Sequence, residues 1–222
     1  MTELNCLNLF NVQGRVALVT GGSSGLGLMI SKALVSNGAK VYVVALPSDP
    51  IDEVVKELNE IGQESGGSAH GVAFLPLLSA AASQRQSEQD GAISGRDEGR
   101  GVIVITSSCA SMHNVTNVDL TSYAASKAAT DHLVKLLAAK YQRFYVRVVG
   151  INPGFVPSNM NPVGAEGNIF SSLFDKVPAK RAAKAEDIAG TVMYLVSKAG
   201  AYVDGISLCV DGGRVLLANG QE

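Results

Sequence analysis

The stretch Thr20–Gly27 (TGGSSGLG) separates two segments of different periodicity. Residues 15–20 (RVALVT) form a short apolar run rich in β-branched residues, as in a fully buried parallel strand. After the glycines, Leu26, Ile30 and Leu34 recur every four residues, which predicts the apolar face of a helix. A glycine-rich turn at this position lets the backbone approach a pyrophosphate, whose charge the helix N-terminus attracts. Taken alone, the same spacing also fits a plain tight turn.

The alternation of strand and helix continues along the chain. Further strands are predicted at residues 40–45, 102–106, 146–151 and 206–210, and further helices at residues 52–61, 122–141 and 186–196. Such alternation favours a parallel sheet with right-handed crossovers. We therefore expect an α/β fold with a doubly wound parallel sheet of the Rossmann type, in one domain that spans residues 1–222.

One segment interrupts this pattern. Residues 79–101 (SAAASQRQSEQDGAISGRDEGRG) are rich in Ser, Gln, Gly and mixed charge and carry no periodicity. They predict a flexible surface loop inserted in the domain, which can continue a short helix over residues 74–82.

Composition limits the class of protein. The 222-residue chain is 46% hydrophobic and carries a net charge of −2, which gives no electrostatic case for nucleic acid or an anionic membrane. Cys6, Cys109 and Cys209 are scattered and odd in number, so we expect neither a disulfide framework nor a metal site. No apolar run reaches the roughly 18 residues of a membrane span. We expect a soluble, cytoplasmic protein.

A second motif, Tyr123-Ala124-Ala125-Ser126-Lys127, lies on the long predicted helix. Residues four apart share one helix face, so the phenol and the ammonium point the same way. A free tyrosine has a pKa of about 10, and a neighbouring cation lowers it by stabilising the phenolate. A pair of this spacing by itself is more often a plain surface contact.

Polar residues and glycines close two further strands. Ser107 and Ser108 follow the strand at 102–106, and Asn152-Pro153-Gly154 follows the strand at 146–151. Ligands of parallel sheets bind beyond the carboxyl ends of the strands, so these segments converge on one edge. Each segment alone fits a strand-ending turn, whereas all of them in this order are improbable by chance.

From about Arg15 to Arg214 the chain resembles the classical short-chain dehydrogenase/reductase family. The resemblance is carried by TGGSSGLG, the serine before YAASK, NPGFVPSNM, EDIAGTVMYLVS and YVDGISLCVDGG. In its overall residue pattern the chain is most similar to the 3-oxoacyl-(acyl-carrier-protein) reductase group. The resemblance implies an NAD(P)-dependent oxidoreductase that interconverts a carbonyl and a secondary alcohol of a small-molecule substrate. It also implies a homodimer or homotetramer that pairs through the helix carrying Tyr123.

The same resemblance assigns roles to residues. Tyr123 is the expected general acid/base, Lys127 lowers its pKa and binds the nicotinamide ribose, and Ser108, in preference to Ser107, hydrogen-bonds the reacting oxygen. Besides Tyr123 and Lys127, the residues expected to bind the cofactor are Gly21, Ser23, Ser24, Gly25, Leu26, Gly27, Pro153, Gly154, Val156 and Ser158.

The chain departs from the family pattern in two places. Ala45 stands where members that prefer NAD usually carry an acidic residue, which favours NADP and leaves NAD as the alternative. Around residues 70–76 the sequence passes directly from the family's third strand into the end of a later helix, and no asparagine occurs between Asn59 and Asn114. An Asn-Asn-Ala-Gly motif, a catalytic asparagine and a central strand are therefore missing. The sequence predicts an internal deletion, and the alternative function is an impaired or dead remnant that binds a dinucleotide or a partner without turnover.

Overall fold

The computed structural model of the chain describes residues 5–44, 50–70, 98–99, 101–113, 119–158 and 177–218. The helices are α1 (Cys6–Leu9), α2 (Gly25–Ser36), α3 (Ile51–Gly62), α4 (Thr121–Tyr141), α5 (Ala185–Val196) and α6 (Arg214–Ala218). The strands are β1 (Val16–Thr20), β2 (Lys40–Val44), β3 (Ser68–His70), β4 (Val102–Thr106), β5 (Arg147–Pro153) and β6 (Ser207–Val210).

The strands form two parallel sheets, in the orders β1-β2-β3 and β4-β5-β6. All of the recorded ladders are parallel, which confirms the predicted α/β fold of the Rossmann type. The element bounds agree with the prediction to within one residue except at the end of β5, which runs on to Pro153 because its last residues still pair with β6. The short strand β3 was not among the strands predicted above.

A gap separates the two sheets. Among the described residues, none pairs with the edge of β1 that faces away from β2, or with the edge of β4 that faces away from β5. A cavity of ≈ 540 Å³ lies between these strands and is lined by both of them and by α2 and α5. This gap lies where the sequence predicts that a central strand is missing.

The helix layer joins the two halves of the molecule, each built on one of the two sheets. α2, which follows β1, packs against α5, which precedes β6, and their apolar faces share one buried core with side chains of both sheets. From these two helices the core buries Ile30, Leu34 and Val35 of α2 and Ile188, Val192 and Leu195 of α5. At the entrance to the gap, the guanidinium of Arg15 donates a hydrogen bond of 3.1 Å to the carbonyl oxygen of Glu98.

A second, smaller core lies on the opposite face of β4 and β5. Val134 and Ala138 of α4 pack there on Val148, with Ile103 and Ile105 beside them. Helices therefore cover both faces of these strands.

Residues 74–82 and most of the loop 79–101 lie outside the described residues, as does Ala45. Within the described part of the chain, no helix is both long and apolar enough to cross a membrane.

Arg147, at the start of β5, holds several turns together from a buried position. Its guanidinium donates to the carbonyl oxygens of Gly99, Leu195, Gly200 and Val203 at 2.8–2.9 Å. Burial lowers the pKa of Arg147 to about 10, and nearby Asp204 opposes the decrease. The side chain therefore stays charged at neutral pH and supplies donors to carbonyls that the core excludes from water.

We expect Arg147→Met to lower the free energy of unfolding by about 3–5 kcal/mol, because it leaves buried carbonyl oxygens without a donor. Urea unfolding followed by circular dichroism measures the change. The control is Arg181→Met, since Arg181 pairs with Asp187 in a largely exposed position and should contribute far less to stability than Arg147. Equal losses in the two variants would contradict the structural role of Arg147.

Candidate active site

The glycine-rich loop joins β1 to α2 at the carboxyl end of the first sheet. Gly21 donates its N–H to the carbonyl oxygen of Val44 at 2.7 Å, which ties the loop to the end of β2. Ser24 is the N-cap of α2, and its hydroxyl makes no capping hydrogen bond. The first-turn N–H groups of a helix have no intrahelical partner, so this terminus suits an anion.

Gly27 is required by the close approach of its own loop. A Cβ atom at this position would lie 2.1 Å from the carbonyl oxygen of Gly21, nearer than any real contact. Gly25 adopts a φ of +51°, and a Cβ atom there would lie 3.8 Å from the Cβ of Ser158. The structure thus brings together two segments that the sequence assigned to the cofactor, the glycine-rich loop and the segment after β5.

The Tyr123 and Lys127 pair lies in the first two turns of α4. Tyr123 is 38% exposed, and the ammonium nitrogen of Lys127 lies 5.6 Å from the centroid of its ring. The same ammonium is 3.4 Å from the carbonyl oxygen of Thr106, the last residue of β4. The pair therefore lies at the carboxyl end of β4, where ligands of parallel sheets bind.

Ser107 and Ser108 occupy different environments. Ser107 is buried, and its hydroxyl donates to the backbone carbonyl of Lys127 at 3.0 Å, so it fixes β4 to α4. Ser108 is half-buried, and its hydroxyl oxygen accepts a hydrogen bond from the N–H of Ala110 at 3.2 Å. The more accessible serine is the one that the sequence analysis preferred.

Asp131 is a feature of the site that the sequence analysis missed. Its carboxylate accepts hydrogen bonds from the hydroxyl of Ser111 at 2.5 Å and from the amide of Asn152 at 2.8 Å. Asn152 is completely buried. One carboxylate thus joins α4, the turn after Ser108 and the end of β5. The available signal was its position, because Asp131 lies one helical turn after Lys127 on the same face.

The end of β5 presents backbone rather than side chains. Gly154 donates its N–H to the carbonyl oxygen of Val210 at 3.0 Å, and Pro153 is buried. Val156 is 3% exposed and its side chain belongs to the main core. Ser158 is partly exposed beside the glycine-rich loop.

The buried thiol of Cys109 follows Ser108 directly. Burial, reinforced by the charge of Asp211, raises the pKa of Cys109 to about 11. The thiol therefore remains protonated at neutral pH and is a poor nucleophile. Across the described ranges, no group of His, Cys, Asp and Glu side chains could hold a metal ion.

Comparison with known proteins matches this geometry to a family. The model of the short chain dehydrogenase family matches residues 15–75, and the Enoyl-(Acyl carrier protein) reductase model of the same group matches residues 80–214. The chain is 30% identical to L-xylulose reductase from Bos taurus, over 90% of this chain and 96% of that protein. A solved short chain dehydrogenase from Burkholderia cenocepacia in complex with NADP is similar with a TM-score of 0.70 and 26% identity, over 91% of this chain and 98% of that one.

A further relative shows where the lengths differ. The short-chain dehydrogenase/reductase VdtF from Byssochlamys spectabilis is 27% identical, over 96% of each chain. That alignment runs over 300 positions, which exceeds the 222 residues of this chain, so the relative contains residues that have no counterpart here. The matches nevertheless reach both the glycine-rich loop and the Tyr123–Lys127 segment, and the chain belongs to the short-chain dehydrogenase/reductase family.

Proposed function

We propose that this protein is an NAD(P)-dependent oxidoreductase that interconverts a carbonyl and a secondary alcohol of a small molecule. The observation that carries the proposal is the position of Lys127. Its ammonium lies beside the ring of Tyr123 and against the last carbonyl of β4, one residue before Ser107 and two before Ser108. An acid/base pair and a hydroxyl thus share one sheet edge.

Each side chain has a distinct task in this proposal. The phenol of Tyr123 donates a proton to the substrate oxygen during reduction, and the ammonium of Lys127 stabilises the phenolate that remains. The hydroxyl of Ser108 hydrogen-bonds the same oxygen as negative charge develops on it. Asp131 holds the Ser108 turn and α4 in a fixed relation through Ser111.

The glycine-rich loop fits a dinucleotide cofactor. The tight contact at Gly27 and the uncapped N-terminus of α2 form a surface that a pyrophosphate can approach closely. In our proposal Ser24 and the loop amides hold the pyrophosphate, while Ser158 and the backbone of Pro153–Val156 hold the nicotinamide end. When bound, the nicotinamide supplies or accepts the hydride. The absence of an acidic residue at Ala45, together with the NADP held by the Burkholderia cenocepacia relative, favours NADP over NAD.

We expect Gly27→Ala to weaken NADPH binding at least tenfold, because a methyl group at this position displaces the Gly21 carbonyl. Titration followed by NADPH fluorescence measures the dissociation constant, and a parallel titration with NADH should give weaker binding. Gly190→Ala is the matched control, since Gly190 also lies in a helix but has open space around its Cβ position. Unchanged binding in Gly27→Ala would remove the loop from the cofactor site.

For catalysis, Tyr123→Phe should lower kcat by about 10²–10⁴-fold while NADPH binding stays nearly constant, because the variant loses the proton donor and keeps the ring. Tyr202→Phe is the control, as Tyr202 is fully exposed. Lys127→Ala should impair both turnover and NADPH binding, whereas Lys135→Ala, at an exposed position on α4, should impair neither. Steady-state reduction of a panel of ketones and 3-oxoacyl thioesters with NADPH gives the rates.

An impaired enzyme is the second candidate function, and the gap between β1 and β4 favours it. The glycine-rich loop and the Tyr123 segment follow strands that share no ladder among the described residues. No asparagine lies between Asn59 and Asn114 to complete the family's usual catalytic set. Under this alternative the chain binds NADPH but turns over no ketone of the panel, and a form with the missing segment restored recovers the rate.

Self-association through α4 is the remaining part of the proposal. Leu133 and Leu136 are 44% and 54% exposed on this helix, and they stand on a surface with small alanines. Exposed apolar side chains on one helix face suit a symmetric interface.

We expect sedimentation velocity at micromolar concentration to show dimers or tetramers, and the double variant Leu133→Lys, Leu136→Lys to sediment as a monomer, because the charges would be buried against a second copy. Leu216→Lys, at an exposed site on α6, should leave the association unchanged. A folded monomer before any substitution would contradict this interface.

A further inference from the structure

Arg214 is a half-buried cation beyond the carboxyl end of the second sheet. It is the first residue of α6 and follows the end of β6 at Val210 by one short turn. Its guanidinium carbon lies 5.6 Å from the centroid of the Phe155 ring, so one face of the cation rests on an aromatic ring. Its Nε is buried and has no hydrogen-bond acceptor. Stacking therefore holds the guanidinium in place without using its N–H groups.

No acidic side chain among the described residues forms an ion pair with Arg214. The nearest acidic residue in sequence, Asp211, uses its carboxylate to close its own turn. One oxygen accepts the backbone N–H of Gly213 at 3.0 Å, and the other accepts that of Val215 at 2.8 Å. A half-buried cation without an anion of its own gains most from a charged group that comes from outside the chain.

Arg214 lies close to the segments that the proposed function uses. Burial raises the pKa of the Cys109 thiol to about 11, and the positive charge of Arg214 opposes this increase. The guanidinium is thus within electrostatic reach of Cys109, which directly follows Ser108. Phe155, on which the guanidinium stacks, directly follows Gly154. Arg214 therefore borders both the segment proposed to hold the reacting oxygen and the segment proposed to hold the nicotinamide end.

A cavity of ≈ 310 Å³ adjoins the stacked pair at the carboxyl ends of β5 and β6. Phe155 lines it, and so does Gly213, the residue before Arg214. Arg181 also lines it, but its guanidinium is already paired with Asp187 at 2.6 Å. The cavity provides room for a small ligand beside Arg214. Of the two guanidinium groups in this part of the described chain, Arg214 is the one that a ligand can pair with at no cost to an existing ion pair.

We infer that Arg214 binds a carboxylate of the substrate, so that the substrate is an oxo acid or the matching hydroxy acid. The inference rests on the proposed function, because it adds a second anchor to the ligand whose oxygen contacts Tyr123 and Ser108. A planar guanidinium donates two parallel hydrogen bonds to a carboxylate and so fixes the orientation of the ligand. One guanidinium offsets a single negative charge, which suits a carboxylate better than a phosphate with its charge of about −1.5 to −2.

The test measures binding of matched ligands to the full 222-residue chain, with and without NADPH. The ligands are 4-oxopentanoate and 5-oxohexanoate, each beside its methyl ester, which keeps the ketone and loses the charge. Two lengths are used because the spacing between the ketone and the carboxylate decides whether both ends can be held at once. Isothermal titration calorimetry should show one of the acids binding at least about tenfold more tightly than its ester, which cannot form charge-assisted hydrogen bonds.

Variants of Arg214 assign the preference to this side chain. Arg214→Met keeps an apolar contact with Phe155 and removes the charge, so the acid should bind no more tightly than its ester. Arg214→Lys should retain part of the preference, because an ammonium keeps the charge and loses the two-point geometry. The matched control is Arg143→Met, since Arg143 also stacks on a phenylalanine, Phe144, but lies in an exposed turn before β5. This control should retain the full preference.

Two results would overturn the inference. Equal affinity of acids and esters for the unaltered chain, or no binding of either, would show that no carboxylate is recognised, and this comparison stands even if Arg214→Met folds poorly. A preference that persists in folded Arg214→Met would place the anion elsewhere. Reduction of ketones without a preference for acids would overturn this inference alone. Binding of an acid through Arg214 without reduction of any ketone would instead overturn the proposed oxidoreductase activity.

Discussion

The packing of α2 against α5 is the contact on which the rest of the structure depends. In a doubly wound fold, hydrogen-bonded ladders usually fix the position of one strand relative to the next. Here no ladder between β1 and β4 exists among the described residues, so apolar burial between two helices joins the halves. Such burial is strong but non-directional, and it sets the distance between the halves less sharply than a ladder would.

This division matters for the proposed function because the loop proposed to bind the cofactor and the proposed acid/base pair belong to different halves. The glycine-rich loop follows β1, and Tyr123 and Lys127 lie against β4. A hydride can pass only if the cofactor and the substrate are held in a near-attack geometry, and a displacement of about 1 Å costs about 10²-fold in rate. The helix contact and the approach of Gly25 to Ser158 are thus the contacts that keep the two parts of the site in register.

Within the half built on β4, β5 and β6, directional hydrogen bonds fix the positions of the elements relative to one another. Asp131 joins α4 to the turn after Ser108 and to Asn152. The guanidinium of Arg147 donates hydrogen bonds to carbonyl oxygens of the turns around the start of β5. Arg147 is buried and Asp131 is partly buried, and burial makes a hydrogen bond stronger and the loss of its partner more costly. The half that carries the proposed acid/base pair is therefore held by directional hydrogen bonds, whereas its position relative to the other half depends mainly on the contact between α2 and α5.

The sequence by itself determined the elements and the family. The strands β1, β4 and β5 follow from short β-branched runs, and α2 and α5 follow from apolar residues at helical spacing, because these patterns depend only on local periodicity. The glycine-rich loop and the Tyr123–Lys127 pair were equally visible, since each lies within one short stretch. The absence of a central strand was a further prediction, from the direct passage between two family segments, and among the described residues no strand lies between β1 and β4.

Only the tertiary structure decided which side chains meet. The separate environments of Ser107 and Ser108 depend on the distance between β4 and α4, which no local pattern encodes. Asp131 and Asn152 lie 21 residues apart in sequence, and Arg147 contacts carbonyls about 50 residues away, so their partners could not be read from spacing. The gap between β1 and β4 likewise depends on two strands, 82 residues apart from Thr20 to Val102, that a helix pair holds side by side. Long-range packing, not local preference, sets these contacts.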